Sequence, residues 1–252
     1  MSKRSPLPNS GQYTGQSRWL LLFVVFTIFV GVALFSLQAG SSMPDLRDYP
    51  AGSERKSAFF DFARPLVEDE NQRISQDRDR LVAIAADSPG FFDRRWLARL
   101  AEEYRIENPD PTDPDLVASL LVRVDTVPLS LALAQAAKES GWGTSRFARE
   151  GYNLFGEWCF NEGCGMVPRA RPISSTYEVE SFRSPRESVA SYMHNLNTLP
   201  QYQTFRLKRA KLRAANDELS GIVLAEKLLQ YSQRREAYVL EIQQLIRSND
   251  LE

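Results

Sequence analysis

A carboxylate at the end of an apolar helix is costly to place, and the stretch AAKESGWGTSRFAREGYNLFG, residues 136–156, contains one. Residues 129–137 hold only two polar members, Ser130 and Gln135, and Glu139 follows just before Ser-Gly-Trp-Gly. On a helix Glu139 shares a face with Ala132 and Ala136, so its side chain is expected to be mostly buried. Burial disfavours the charged form of a carboxyl and raises its pKa. A carboxyl that keeps its proton near neutrality can act as a general acid and hand that proton to a departing oxygen. Gly141 and Gly143 permit the turn that must end the helix. Trp142 between them is a flat apolar surface that can shield the carboxyl or stack on a ring. The plainer reading is a solvated helix end with Trp142 as a core plug.

Other chemistries find less in the sequence. The single histidine, His194, lies with Glu187 and Ser191 on the polar side of a stripe through Val189 and Leu196, which predicts exposure. No nucleophile-elbow motif accompanies it, so Ser-His-Asp and Cys-His hydrolases are disfavoured. The two cysteines, Cys159 and Cys164, close the short segment CFNEGC. A disulfide is the favoured reading in an oxidising compartment; two free thiols or half of a zinc site are the alternatives. Zinc would need ligands that one histidine and no further cysteine cannot supply, so no metal and no cofactor are expected. Trp158, beside Cys159, reads equally as a ligand platform or as loop packing.

The elements that must position these residues are mainly helical. Apolar positions recur at three and four in AFFDFARPLV, DRLVAIAA and FFDRRWLARLAEEY, with Pro or Gly punctuating between them. DPTDPDLVASLLVRV opens with Asp and Pro ahead of an apolar run, as a capped helix does. Val189, Tyr192, Met193, Leu196 and Leu199 form another stripe, and similar stripes run through 217–230 and 234–247. One interval breaks this rhythm: ISSTYEVESF, residues 173–182, puts Tyr177 and Val179 on one face and Glu178, Glu180 and Phe182 on the other, which predicts a small β-hairpin.

A chain of 252 residues with 43% apolar residues can bury one packed domain plus appendages. The net charge of −1, with acids and bases interleaved from Lys56 onward, argues against a nucleic-acid partner. Residues 19–37 carry no charge and as a helix would span roughly 28 Å, close to the ~30 Å hydrocarbon core of a bilayer. Lys3, Arg4 and Arg18 precede this run, and Asp45, Arg47 and Asp48 follow it. The charge bias predicts a cytoplasmic tail at 1–18, a transmembrane signal-anchor at 19–38 and a folded part on the far side of the membrane. A cleaved signal peptide ending at Ala39 is the rival; the length of the run and Leu37 near the cleavage position favour the anchor. Residues 39–56, rich in Gly, Ser, Pro and charge, read as a tether, and 57–125 as a helical region ahead of the main domain at 126–250.

ALAQAAKESGWGTSRFAREGYNLFG resembles the signature of the bacterial glucosaminidase family, glycoside hydrolase family 73, and WCFNEGCG is similar to its Bax-like branch. The likeness covers 126–245, with the helix, Glu-Ser-Gly-Trp-Gly and Asn-Leu-Phe-Gly in family order. It implies a lysozyme-like α+β catalytic domain that cleaves peptidoglycan strands at the β-1,4 bond after N-acetylglucosamine. The domain would act in the periplasm behind a single-pass inner-membrane anchor. Glu139 then matches the catalytic acid. The family's proposed second carboxylate maps to Glu178 or Glu180, with Glu178 favoured and the other expected to pair with Arg183 or Arg169. If the substrate's own acetamido oxygen attacks instead, Tyr238 is a candidate to stabilise the sugar cation. Tyr231 and Tyr238 resemble a late tyrosine pair of the family, although Arg234 and Arg235 between them depart from its spacing. Trp142, Asn153, Trp158 and Tyr231 are the candidates for sugar contacts, while Leu154 and Phe155 read as core. Glu157 and Glu162 lie at the cysteine loop and are weaker candidates for the second carboxylate, read first as rim charges. A glycan-binding or scaffolding protein of the same fold without turnover is the alternative.

Overall fold

The computed structural model describes residues 43–87, 89–172 and 174–252. A one-turn 3-10 helix at Leu46–Asp48 leads into α1 (Ser53–Ala86), α2 (Phe91–Glu103), α3 (Pro114–Arg123), α4 (Leu129–Ser140) and α5 (Arg146–Gly151). Three short strands follow, β1 (Trp158–Cys159), β2 (Gly165–Met166) and β3 (Glu178–Glu180). The chain then forms α6 (Pro185–Thr198), a 3-10 turn at Pro200–Tyr202, α7 (Gln203–Ala214), α8 (Gly221–Ala225) and α9 (Glu236–Ser248). The expected cytoplasmic tail, membrane span and residues 39–42 lie outside the described residues. Among the described residues no helix is long and apolar enough to cross a membrane.

Local sequence explains most of these boundaries. Asp113 caps α3 through the Asp115 amide, with Pro114 in the first turn, where its missing N–H costs nothing. Ser184 does the same for α6 ahead of Pro185. Two stretches read as separate helices, 58–67 and 79–86, join in α1, which runs 34 residues straight over Pro65. Proline forfeits one backbone bond, but Phe59, Ala63, Leu66 and Val67 around it are buried, and packing outweighs the local loss. The stripe at 217–230 is helical only over Gly221–Ala225.

The apolar helix α4 is wrapped by α1, α8 and α9, and all of Leu131, Ala132, Leu133, Ala134, Gln135, Ala136 and Ala137 are buried. α1 also packs on α3 and α6. Residues 43–252 thus form one unit in which 57–125 supplies a wall of the same core. The described part of the tether interval is folded too, with Leu46 fully buried.

A polar knot fixes where α4 begins. Asp125 is buried and meets Arg213 at 2.8 Å, Arg78 at 3.5 Å and Arg209 at 3.7 Å. Arg209, fully buried on α7, also donates to the carbonyls of Val122, Arg123, Asp125 and Thr126. Burial pushes the Asp125 pKa up, and the three guanidiniums more than offset this, leaving it below the ordinary range.

The expected hairpin is instead a three-stranded sheet of order β1-β3-β2, with the strand read from 173–182 in its centre. Trp158 pairs with Val179 on one side and Met166 pairs with Val179 on the other, both antiparallel. Two-residue strands carry too little pattern to be seen in sequence.

Candidate active site

Glu139 occupies the last turn of α4, and three successive residues with positive φ end the helix behind it: Gly141 (59°), Trp142 (57°) and Gly143 (73°). Gly143 is also a close-approach point, because a Cβ there would stand 2.3 Å from Leu46 and 2.5 Å from Met43. Ser140 stitches the turn, donating to the Ala136 carbonyl and accepting from the Gly143 amide.

The Glu139 carboxyl is held from two sides. Gly156 lies flat against it, and a Cβ at that position would come within 3.2 Å of Oε2. The Tyr238 hydroxyl, from α9, lies close enough to the carboxyl to lower its pKa. Behind it Gln135 Nε2 donates to the Tyr238 hydroxyl at 2.9 Å, and the Tyr192 hydroxyl donates to Gln135 Oε1 at 2.7 Å. With its lone pair taken by Gln135, Tyr238 directs its own proton to Glu139. Burial raises the Glu139 pKa above the ordinary glutamate range; Tyr238 and then Lys138 pull against that shift without cancelling it.

Gly156 also lines a cavity of about 250 Å³ whose wall includes Glu157, Trp158, Phe160, Asn195 and Tyr202, so Glu139 lies behind this wall rather than in it. Tyr231 lines it as well, stacked on Tyr238 with centroids 5.4 Å apart, and donates to the Phe155 carbonyl. Burial first, then the nearby Glu157 and Glu139, lift the Tyr202 phenol to about 12.

Glu157 is a buried acid rather than a rim charge. Its Oε2 accepts from Ser191 Oγ at 2.7 Å and Asn195 Nδ2 at 2.6 Å, while Oε1 is buried and meets no hydrogen-bond donor among the described residues. Burial, with a contribution from Glu180, pushes its pKa up to about 8 despite those two bonds. Sequence reasoning ranked it low because a single glutamate after a glycine has no pattern; the one available signal was its place directly behind Asn-Leu-Phe-Gly.

The remaining candidates divide. The Glu178 carboxylate accepts the amides of Gly163 and Gly165 at 3.2 and 2.8 Å, and those bonds hold its pKa below the usual range. Its nearest cation is Arg171, at 3.8 Å, not Arg169 or Arg183. Glu180 is half-buried, its pKa raised by burial, and lines a separate groove with Arg73, Glu103, Glu187 and His194. Neither lines the cavity beside Glu139. Trp142 packs edge-on against Phe59 and Phe60 under Lys56, so it fastens the helix end to α1. Asn153 is buried, with Nδ2 donating to the carbonyls of Glu157 and Glu180 and Oδ1 accepting the Glu157 amide. It ties the loop to the sheet, with both amide hydrogens spent on backbone carbonyls. Trp158 is 51% exposed and Phe160 73% exposed, and Trp158 meets Tyr177 edge-on at 4.9 Å. Cys159 and Cys164 are joined in a disulfide. They and Glu178 cluster closely, but paired sulfurs offer no thiolate to a metal. His194 is half-buried, not exposed, against Tyr104 and the Glu103 carbonyl.

Comparison with known proteins bears on this arrangement. Residues 117–251 match the family Glucosaminidase, described as mannosyl-glycoprotein endo-beta-N-acetylglucosaminidase. The chain is 37% identical over 201 residues to protein bax of Escherichia coli (strain K12), an overlap of 79% of this chain and 71% of that protein. No solved structure matches the chain.

Proposed function

The chain belongs to the glucosaminidase family, and from that premise we propose that it hydrolyses the β-1,4 bond after N-acetylglucosamine in peptidoglycan, with Glu139 as general acid. One observation carries this reading: the Glu139 carboxyl, with its pKa raised, packs against Gly156, and Gly156 lines an open cavity. In the reaction the Glu139 proton passes to the leaving glycosidic oxygen, the bond from that oxygen to the anomeric carbon breaks, and water adds its hydroxyl to that carbon to complete the new reducing end. The remaining water proton is released to solvent, from which Glu139 is reprotonated. Tyr238 touches the acid and not the sugar, and we assign it to positioning. Glu178 is committed to the loop amides and Glu180 to another groove, so neither is assigned a role at the bond. The apolar run at 19–37 supports a membrane anchor that would place this site on the periplasmic glycan.

Incubation of the full chain with purified peptidoglycan tests the proposal. New reducing ends on N-acetylglucosamine are expected, falling by about 10²–10⁴-fold in Glu139→Gln with glycan binding retained. Equal release by both proteins would contradict it.

A further inference from the structure

The cavity beside Glu139 has an acid that the reaction above does not use. Glu157 sits one residue after Gly156, the glycine pressed on the Glu139 carboxyl, and its side chain turns into the cavity wall. Ser191 and Asn195, one turn apart on α6, both donate to Oε2 and fix the plane of the carboxyl. Oε1 is left buried without a partner among the described residues. A buried polar atom without a partner costs about 1–3 kcal/mol, and one that lies in a residue lining a cavity calls for a partner from a ligand or a water.

We infer that Glu157 is a specificity residue, whose Oε1 donates a hydrogen bond to the acetamido carbonyl of an N-acetylhexosamine seated in this cavity. This rests on the glycan-hydrolase reading and deepens it. With both hydrogen bonds arriving at Oε2, the proton of the neutral acid belongs on Oε1, which makes the buried oxygen beneath the cavity wall an O–H donor that a seated ligand must displace the wall slightly to meet. The titratable groups around it are Glu180 on β3, Tyr192 on α6 and Tyr202 in the following turn; the only charge among them is negative and favours the neutral acid. The cavity mouth suits the same ligand. Trp158 and Phe160 are exposed apolar rings on which a sugar face can lie, while Asn195 stands on the polar side. An amine in place of the acetamide has no acceptor to offer and would leave Oε1 unsatisfied.

The test measures binding of β-1,4-linked N-acetylglucosamine tetramer and its fully deacetylated counterpart to the full chain carrying Glu139→Gln, so that no turnover intervenes. Preference for the acetylated tetramer is expected to drop by about tenfold or more in Glu157→Leu, and to survive in Glu157→Gln, whose amide donates from the same place. Infrared difference spectra give a second readout that does not depend on the leucine variant folding. A neutral-carboxyl band should shift on addition of the acetylated tetramer and be absent in Glu157→Gln. Undiminished preference in Glu157→Leu, or no carboxyl shift, overturns the inference and leaves the proposed hydrolysis standing. Lack of affinity for either tetramer, together with intact peptidoglycan after incubation with the wild-type chain, overturns both.

Discussion

At the residue scale two glutamates are kept from ionising in the ordinary range, and each has a pH signature. A general acid works only while protonated, so activity should fall as pH rises through the Glu139 pKa. The Tyr238 hydroxyl lowers that pKa. Tyr238→Phe should therefore move the alkaline limb of kcat/KM to higher pH while leaving Gln135 short of a partner; a limb that stays put or moves down would show that Tyr238 does not act on Glu139. Glu157 gives a stability signature. Its folded pKa of about 8 lies above the 4.5 of an ordinary glutamate, so between these values the folded state binds the extra proton. Stability must then decline as pH rises through that window and level off above it. Glu157→Gln cannot titrate, and melts recorded from about pH 5 to about pH 8 should show its Tm gaining steadily on the wild type. Parallel curves would mean that Glu157 titrates normally. Glu139 was legible because a carboxyl ending an apolar helix is a conflict visible in residue types. Glu157 was not, since its burial comes from Ser191, Asn195 and Tyr202, all far away in sequence.

At the element scale the short sheet and its loop depend on one carboxylate. Glu178 gathers the amides of Gly163, inside the segment closed by Cys159 and Cys164, and Gly165, just beyond it. Glu178→Ala should speed hydrogen exchange at those two amides and cost far less activity than Glu139→Gln. Loss of activity as complete as in Glu139→Gln would restore Glu178 as a catalytic candidate. The start of α4 depends on Arg209 in the same way. Arg209→Met leaves Asp125 with two of its three arginines and takes a donor from four carbonyls, of which that of Asp125 keeps Asn197, so equilibrium unfolding should show a loss of about 3–5 kcal/mol. A change within about 0.5 kcal/mol would show that the knot is dispensable. Periodicity revealed α3, α4, α6 and α9 because each hides one face or all of itself. α7 stayed hidden: its sequence, QTFRLKRAKLRA, looks like a solvated basic helix until Asp125 and the carbonyls that bury Arg209 are known.

At the scale of the whole molecule, the part that resembles the family is not the part that folds. α4 is buried on all sides and α1 covers one of them, while Trp142 and Gly143 close against Phe59, Leu46 and Met43. Residues 126–252 alone should lack a cooperative thermal transition, whereas 43–252 should melt as one unit; a sharp melt of the shorter piece would contradict this. The same wrapping keeps water from Glu139, and the mechanism stands or falls with its effect. The most direct measurement is a ¹³C NMR titration of the Glu139 carboxyl in the intact chain. The account predicts a midpoint above the ordinary glutamate value of 4.5, shifting further upward in Tyr238→Phe. A midpoint at or below 4.5 would mean that the carboxyl is already ionised when the glycan arrives and is no general acid.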